Sequence, residues 1–191
     1  MGFKKLALLV GATAICTSAY AMQNVTQGIA FSYGSHLITQ SQPTNISGYK
    51  IDYNIMPSNW NGYNNSLVAY IQANYAHWHT NSNIPSNSYS TIGVFGIAPV
   101  ARWYFMDASA NLAPYAEASI GAATLTHNVI GDRLLGSRLL FQDMLGIGAT
   151  FGQSKQAFAS VNLIHYSNAS THRNNAGITI PVMLTVGYNF S

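Results

Sequence analysis

From Ile178 to Phe190 the chain alternates. Ile178, Ile180, Val182, Leu184, Val186, Tyr188 and Phe190 fall on one parity, opposite Thr179, Thr185, Gly187 and Asn189. Side chains of a strand point to opposite faces in turn, so this stretch predicts a strand with one continuous apolar face. Seven further stretches read the same way. They are Gln27–Ile38, Tyr49–Met56, Leu67–His79, Ser90–Phe105, Ala113–Thr126, Arg138–Phe151 and Ala157–Ser167. In the second, Tyr49, Ile51, Tyr53 and Ile55 oppose Lys50, Asp52 and Asn54. In the third, Leu67, Ala69, Ile71, Ala73 and Tyr75 oppose Gln72 and Asn74. Eight apolar faces of this length need something apolar to cover them.

Composition decides what that is. Charged residues make up 7% of the chain, against about 25% in ordinary soluble domains. Asn, Ser, Thr, Gln, Gly and Tyr take the polar positions. No segment after the first fifteen residues is apolar enough for a membrane helix. The sequence therefore predicts an all-β chain, an eight-stranded antiparallel transmembrane β-barrel whose apolar face meets lipid. Each candidate strand suffices for a tilted crossing of about 9–11 residues. The Tyr188/Phe190 ending resembles the terminal signal of outer-membrane proteins. A soluble secreted β-sandwich is the competing fold, since it also reads as alternating strands.

The first residues read as an export signal. Lys4 and Lys5 precede the apolar stretch Leu6 to Ile15, and Ala19-Tyr20-Ala21 fits the small-x-small cleavage rule. Residues 1–21 are expected to be a signal peptide and 22–191 the barrel. Cys16, the single cysteine, leaves with the signal, so the mature chain has no thiolate metal site. Without Lys4 and Lys5, six Lys and Arg face five Asp and Glu. That near-neutral balance carries no basic patch and excludes nucleic acid as a partner. An eight-stranded barrel is filled by its own side chains, so a pore is a poor reading too. The outer wall becomes the surface of interest.

On that wall the heptapeptide Ile164-His165-Tyr166-Ser167-Asn168-Ala169-Ser170 stands out. Ala159, Val161, Leu163, His165 and Ser167 share one parity; Ser160, Asn162 and Tyr166 share the other. His165 and Ser167 thus sit at the edge of the lipid face, where polar groups are costly. With the first strand running outward, the seventh ends at the cell surface, at the outer leaflet. A serine hydroxyl needs a base to take its proton, and histidine suits that task. At i, i+2 on a strand the two are same-face neighbours, with Cα atoms about 6.5–7 Å apart. Asn168, Asn174 and Asn175 follow as candidate oxyanion donors. The implied chemistry is acyl transfer from a lipid ester to water. The plain alternative is two interface residues bonded locally.

Here the chain resembles the lipid A 3-O-deacylases of the PagL type. The resemblance rests on Leu163-Ile164-His165-Tyr166-Ser167-Asn168-Ala169 and Asn175-Ala176-Gly177-Ile178. Weaker support comes from Ile97-Ala98-Pro99-Val100-Ala101-Arg102-Trp103, Pro114-Tyr115-Ala116-Glu117-Ala118 and Phe141-Gln142-Asp143-Met144-Leu145-Gly146-Ile147-Gly148. It implies an eight-stranded outer-membrane barrel that hydrolyses the ester-linked acyl chain at position 3 of lipid A, without a cofactor or metal. By that resemblance Ser167 is the nucleophile, His165 the general base, and Asn175 the oxyanion support. Asn168 belongs to the motif and shapes the site. Lipid A, as part of lipopolysaccharide, is then the partner, while a monomer and a homodimer are both left open.

One position departs from the family. The acid that follows the Asn-x-Gly-x stretch in the family falls at Thr179, and no Asp or Glu follows Asp143. Loss of the acid from a serine-protease triad costs on the order of 10⁴-fold. Three arrangements answer this. Thr179 or a loop carbonyl orients the imidazole; Asp143 on the neighbouring strand approaches it from the other side; or the scaffold persists as a poor catalyst. Strict alternation turns Thr179 inward, unless a bulge at Pro181 resets the parity. The rival function is a non-catalytic small outer-membrane barrel, structural or surface-binding.

Other residues carry plainer expectations. His77 and His79 flank Trp78 and read as a polar rim beside an interface tryptophan rather than a metal pair. His172 and Arg173 read as solvated loop charge that can meet lipid A phosphates. Lys50, Asp52, Arg102 and Glu117 read as a polar network inside the barrel.

Overall fold

Residues 25–35, 44–57, 66–81, 84–107, 110–152, 156–174 and 176–190 are described by the computed structural model. The candidate signal peptide and the Ile38 end of the first candidate strand lie outside them. The eight alternating stretches form β1 (Val25–Ser35), β2 (Ile46–Pro57), β3 (Leu67–Thr80), β4 (Thr91–Tyr104), β5 (Leu112–Leu125), β8 (Leu139–Phe151), β9 (Ala157–Ser167) and β10 (Ile178–Phe190). Between β5 and β8 stands a short hairpin, β6 (Val129–Ile130) and β7 (Arg133–Leu134), which the sequence reading missed.

The long strands close into one antiparallel barrel in the order β1-β10-β9-β8-β5-β4-β3-β2. Closure pairs β1 with β10, Gln27 opposite Phe190 and Ser35 opposite Val182, and so leaves no edge strand. The wall is complete within one chain and needs no second copy.

The barrel is inverted relative to a soluble protein. Ile120, Leu145 and Leu184 are 69%, 64% and 61% exposed on the outside, whereas Lys50 and Arg102 are 1% and 2% exposed within. In lipid that outer band gains what it would lose in water. Aromatic residues border it at both ends: Tyr33, Tyr49, Phe95 and Phe141 at one, Trp103, Phe105, Phe151, Tyr188 and Phe190 at the other. Such girdles sit where apolar rings meet the headgroups.

The interior is packed, not open. Arg102 donates to Glu117 from Nε (3.0 Å) and Nη2 (2.8 Å), and Nη2 also donates to the Tyr70 hydroxyl (3.2 Å). That hydroxyl donates on to Glu117 (3.0 Å). The guanidinium lies 4.0 Å from the Tyr115 ring centre. Lys50 pairs with Asp52 and reaches Gln72. The four charged residues read as an interior network form two buried ion pairs. Trp78 corrects the sequence reading. It is fully buried inside the barrel, not at the interface, because its parity is opposite to that of His77 and His79. His77 instead stacks outside on Tyr49, 5.6 Å between ring centres.

Candidate active site

The site forms where β8, β9 and β10 lie side by side near the barrel end that carries the connections 126–138 and 168–177. On β9, Val161 and Leu163 are exposed on the wall, and His165 and Ser167 continue that face, half-buried. Ser160, Asn162, Ile164 and Tyr166 point inward and are buried. The parity read from the sequence holds along the whole strand.

β10 does not keep one parity. Its register against β9 shifts between Ile180 and Met183. Ile180 pairs with Ile164 and Met183 with Asn162, so β10 spends one residue more than its partner. The extra residue lies at Pro181-Val182, where proline has no N–H to give the ladder. Beyond the bulge Leu184 and Val186 face out; before it Ile178 and Ile180 are buried and Thr179 faces out. Strict alternation, which turned Thr179 inward, is overturned here. The bulge brings Thr179 opposite His165, and Thr179 Oγ1 lies 2.8 Å from His165 Nδ1.

That contact ties the imidazole to β10. With Nδ1 engaged by Thr179, Nε2 is the nitrogen left to act on a substrate-side hydroxyl, as in a serine triad. On the same ring edge lies Gly177. A Cβ at residue 177 would stand 3.1 Å from His165 Cε1 and 3.7 Å from Nε2. Gly177 also has φ +59°, a left-handed conformation that favours glycine. The chain thus turns into β10 directly against the histidine.

Loops hold this turn in place. Arg133, on β7, is buried and donates from Nη1 to the carbonyls of Ala176 (2.7 Å) and Gly177 (2.9 Å). Burial pulls its pKa below the ordinary arginine value, opposed by neighbouring Asp132. Asn168 is buried and donates from Nδ2 to Leu135 O (2.9 Å), while its Oδ1 accepts from Ser170 N (2.9 Å). Ala169, Ser170 and Asn174 all have positive φ, so this connection is sharply folded. Arg133 was missed by sequence reasoning, and Gly177 entered it only as part of the family motif. The Gly131-Asp132 turn between two short apolar pairs was the available signal.

Asn175 lies outside the described residues. Asn168 belongs to the loop scaffold. His172 and Arg173 are exposed, His172 Nδ1 within 3.1 Å of Thr171 Oγ1. Asp143, on β8, is the direct cross-strand partner of His165 on the side away from Thr179, and it too faces out, half-buried. Below these residues the wall carries a shallow, nearly apolar groove of about 570 Å³, lined by Leu145, Ile147, Val161, Leu163 and Pro181 among others. No group of three or more metal-ligating side chains occurs among the described residues.

This arrangement has known relatives. The sequence model of the lipid A 3-O-deacylase (PagL) family matches residues 47–189. The chain belongs to that family. Lipid A deacylase PagL of Pseudomonas aeruginosa is 33% identical over 119 residues, 62% of this chain and 64% of the relative. Lipid A deacylase PagL of Bordetella bronchiseptica is 28% identical over 113 residues, 59% of this chain and 57% of the relative. Both matched stretches span less than two thirds of the relative's length. The crystal structure of the outer membrane enzyme PagL superposes with a TM-score of 0.61 at 25% identity, covering 85% of this chain and 98% of that one. Neisserial surface protein A shares the fold alone: TM-score 0.50, 14% identity, covering 87% and 96% of the two chains. This PagL-family chain is an integral β-barrel of the outer membrane.

Proposed function

We propose that the chain is a cofactor-free serine esterase that removes the 3-O-linked acyl chain of lipid A from the outer leaflet. The observation that carries this is the polar set His165 and Ser167, which the β10 bulge joins to Thr179 on a largely apolar wall. Polar groups facing lipid are costly, so their presence there points to a function. Family membership supports the substrate class.

In this reading the acyl chain lies along the apolar groove, and the ester carbonyl meets Ser167. Ser167 Oγ attacks the carbonyl carbon while His165 Nε2 takes the hydroxyl proton. The tetrahedral intermediate breaks its bond to the sugar oxygen, which leaves with the proton from His165. Water then attacks the acyl-serine. His165 takes its proton and returns it to Ser167, and the fatty acid departs. Asn175 is assigned to the oxyanion by resemblance. Arg133 donates to the carbonyls of Ala176 and Gly177, the residues that follow Asn175 in the chain.

Thr179 is the weak member. A carboxylate only accepts, so it forces the proton onto Nδ1 and balances the imidazolium. A threonine hydroxyl either accepts from Nδ1–H or donates to a bare Nδ1. It carries no charge in either case. Only the first arrangement leaves Nε2 free as a base. The proposal is therefore of a working esterase slower than one with a carboxylate here. The same residue favours a second reading, a barrel that keeps the scaffold without catalysis.

One experiment separates them. The protein is expressed in outer membranes bearing 3-O-acylated lipid A, with Ser167→Ala alongside, and the lipid A mass spectrum is recorded. Loss of one hydroxyacyl chain, absent in the variant, is the expected result. An unchanged spectrum from folded protein, in membranes and in detergent, selects the non-catalytic barrel.

A further inference from the structure

We propose that Asp143 supplies, from β8, the negative charge that His165 does not receive from β10. This rests on the esterase reading and names a positioning residue within the same site. Ile120, Asp143, His165 and Thr179 form one row across β5, β8, β9 and β10, each opposite the next. Direct cross-strand neighbours on one face have Cβ atoms about 4.5–5.5 Å apart. His165 thus stands between a hydroxyl on its Nδ1 side and a carboxylate on the other.

Three facts single Asp143 out. Among the described residues it forms no ion pair within 4.0 Å, His165 included, so any influence on the ring acts across the strand spacing, whereas Lys50, Asp52, Arg102 and Glu117 are all paired inside the barrel. It faces outward on the apolar wall, at the head of a shallow groove lined by Ala69, Pro99, Ala118, Ile120 and Leu145. A carboxylate there is expensive and calls for a positive partner. The facing positions hold only one candidate: β5 offers Ile120, β10 offers Thr179, and β9 offers His165. The imidazolium is therefore the one cation this row can generate. It exists between proton uptake from Ser167 and proton return to the leaving oxygen. With acyl chains outside and packed wall inside, a charge one strand away is weakly screened. Asp143 takes no proton in this scheme; its charge favours the protonated ring during turnover.

The test combines kinetics with a titration that does not need turnover. In purified barrels on 3-O-acylated lipid A micelles, Asp143→Asn is expected to lower kcat about 10–100-fold with KM little changed. Asp143→Glu is expected to restore most of it. In a Thr179→Glu background the Asp143→Asn loss should shrink to less than about 3-fold, because β10 then provides the charge. Separately, ¹⁵N-histidine NMR on the Ser167→Ala barrel follows the His165 titration midpoint, which Asp143→Asn should lower. An unchanged midpoint overturns the proposal. So does an active parent whose kcat is indifferent to Asp143→Asn, or a loss of equal size with Glu at 179. A parent that leaves lipid A intact overturns the esterase reading instead, and the midpoint still reports whether the two side chains are coupled.

Discussion

The barrel holds two polar sets that obey opposite rules. Inside, the four charges of the described barrel interior are paired: Arg102 lies between Glu117, Tyr70 and the face of Tyr115, and Lys50 meets Asp52. On the wall between β8 and β10, Asp143, His165, Ser167 and Thr179 share one small area, and the only bond described among them is Thr179 to His165. Full pairing is what a filled interior requires, because an unpaired buried charge is far more costly than a paired one. Partial pairing on a lipid-facing surface has no such structural use. The difference separates polar groups that hold the fold from polar groups that the fold leaves largely unused.

The largest effect should fall on the wall and leave the fold alone. Ser167→Ala and His165→Ala are each expected to lower deacylation at least about 10³–10⁴-fold, the scale on which acyl-transfer sites lose a nucleophile or base. Turnover of lipid A by mass spectrometry reads the loss. Heat-modifiable migration on electrophoresis should stay that of the parent barrel. A Ser167→Ala protein with parental turnover would dissolve the distinction between the two sets.

Inside, the converse is expected. Glu117→Leu leaves the Arg102 guanidinium buried and without its carboxylate. Breaking a buried pair in this way costs about 3–5 kcal/mol. Urea unfolding in lipid vesicles should show that loss, while turnover per folded barrel stays within about twofold of the parent. Loss of activity with unchanged stability would mean that the interior network reaches the site, and that the two regions are not separable.

How much of this could be read from the chain follows from what sets each feature. The eight strands were legible because membrane alternation is local: Ile51 and Lys50, or Leu163 and Asn162, declare their faces by parity alone. The faces of His165 and Ser167 came from the same rule. Thr179 was legible only as one of three alternatives, with a bulge at Pro181 as its condition, because one extra residue changes every face before it and only pairing with β9 shows that it sits at Pro181-Val182. Trp78 was misplaced for a related reason. An aromatic at a strand end suggests the interface, but its parity put it inside. The β6–β7 hairpin, with Arg133 reaching the Ala176 and Gly177 carbonyls, depends on contacts between loops far apart in sequence.

Thr179 gives a smaller effect that sharpens the comparison by making the wall more like the interior. Thr179→Glu is expected to raise kcat about 10–100-fold by fixing the Nδ1–H tautomer and balancing the imidazolium. A carboxylate beside the ring favours its charged form. The neutral ring is the base, so the acid limb of the pH–rate profile should move to higher pH. Thr179→Val removes the bond to Nδ1 and should lower kcat with no such movement. Equal activity of the Thr, Glu and Val proteins would show that the ring is oriented by something other than β10.

The smallest effect concerns Gly177, where wall and loop meet. Gly177→Ala places a Cβ 3.1 Å from His165 Cε1 on a backbone with φ +59°. The left-handed conformation costs a non-glycine residue about 1–2 kcal/mol. The close approach must be relieved by moving the ring a few tenths of an ångström, and kcat is expected to fall about tenfold. Gly177→Asn separates these causes. Asparagine tolerates the left-handed region better than alanine but carries the same Cβ. If the ring contact governs catalysis, the Asn protein should regain stability in urea yet stay as slow as the Ala protein. If activity returns with stability, Gly177 serves only the turn. The ordering of His165 would then come from Thr179 and the loop bonds of Arg133 alone.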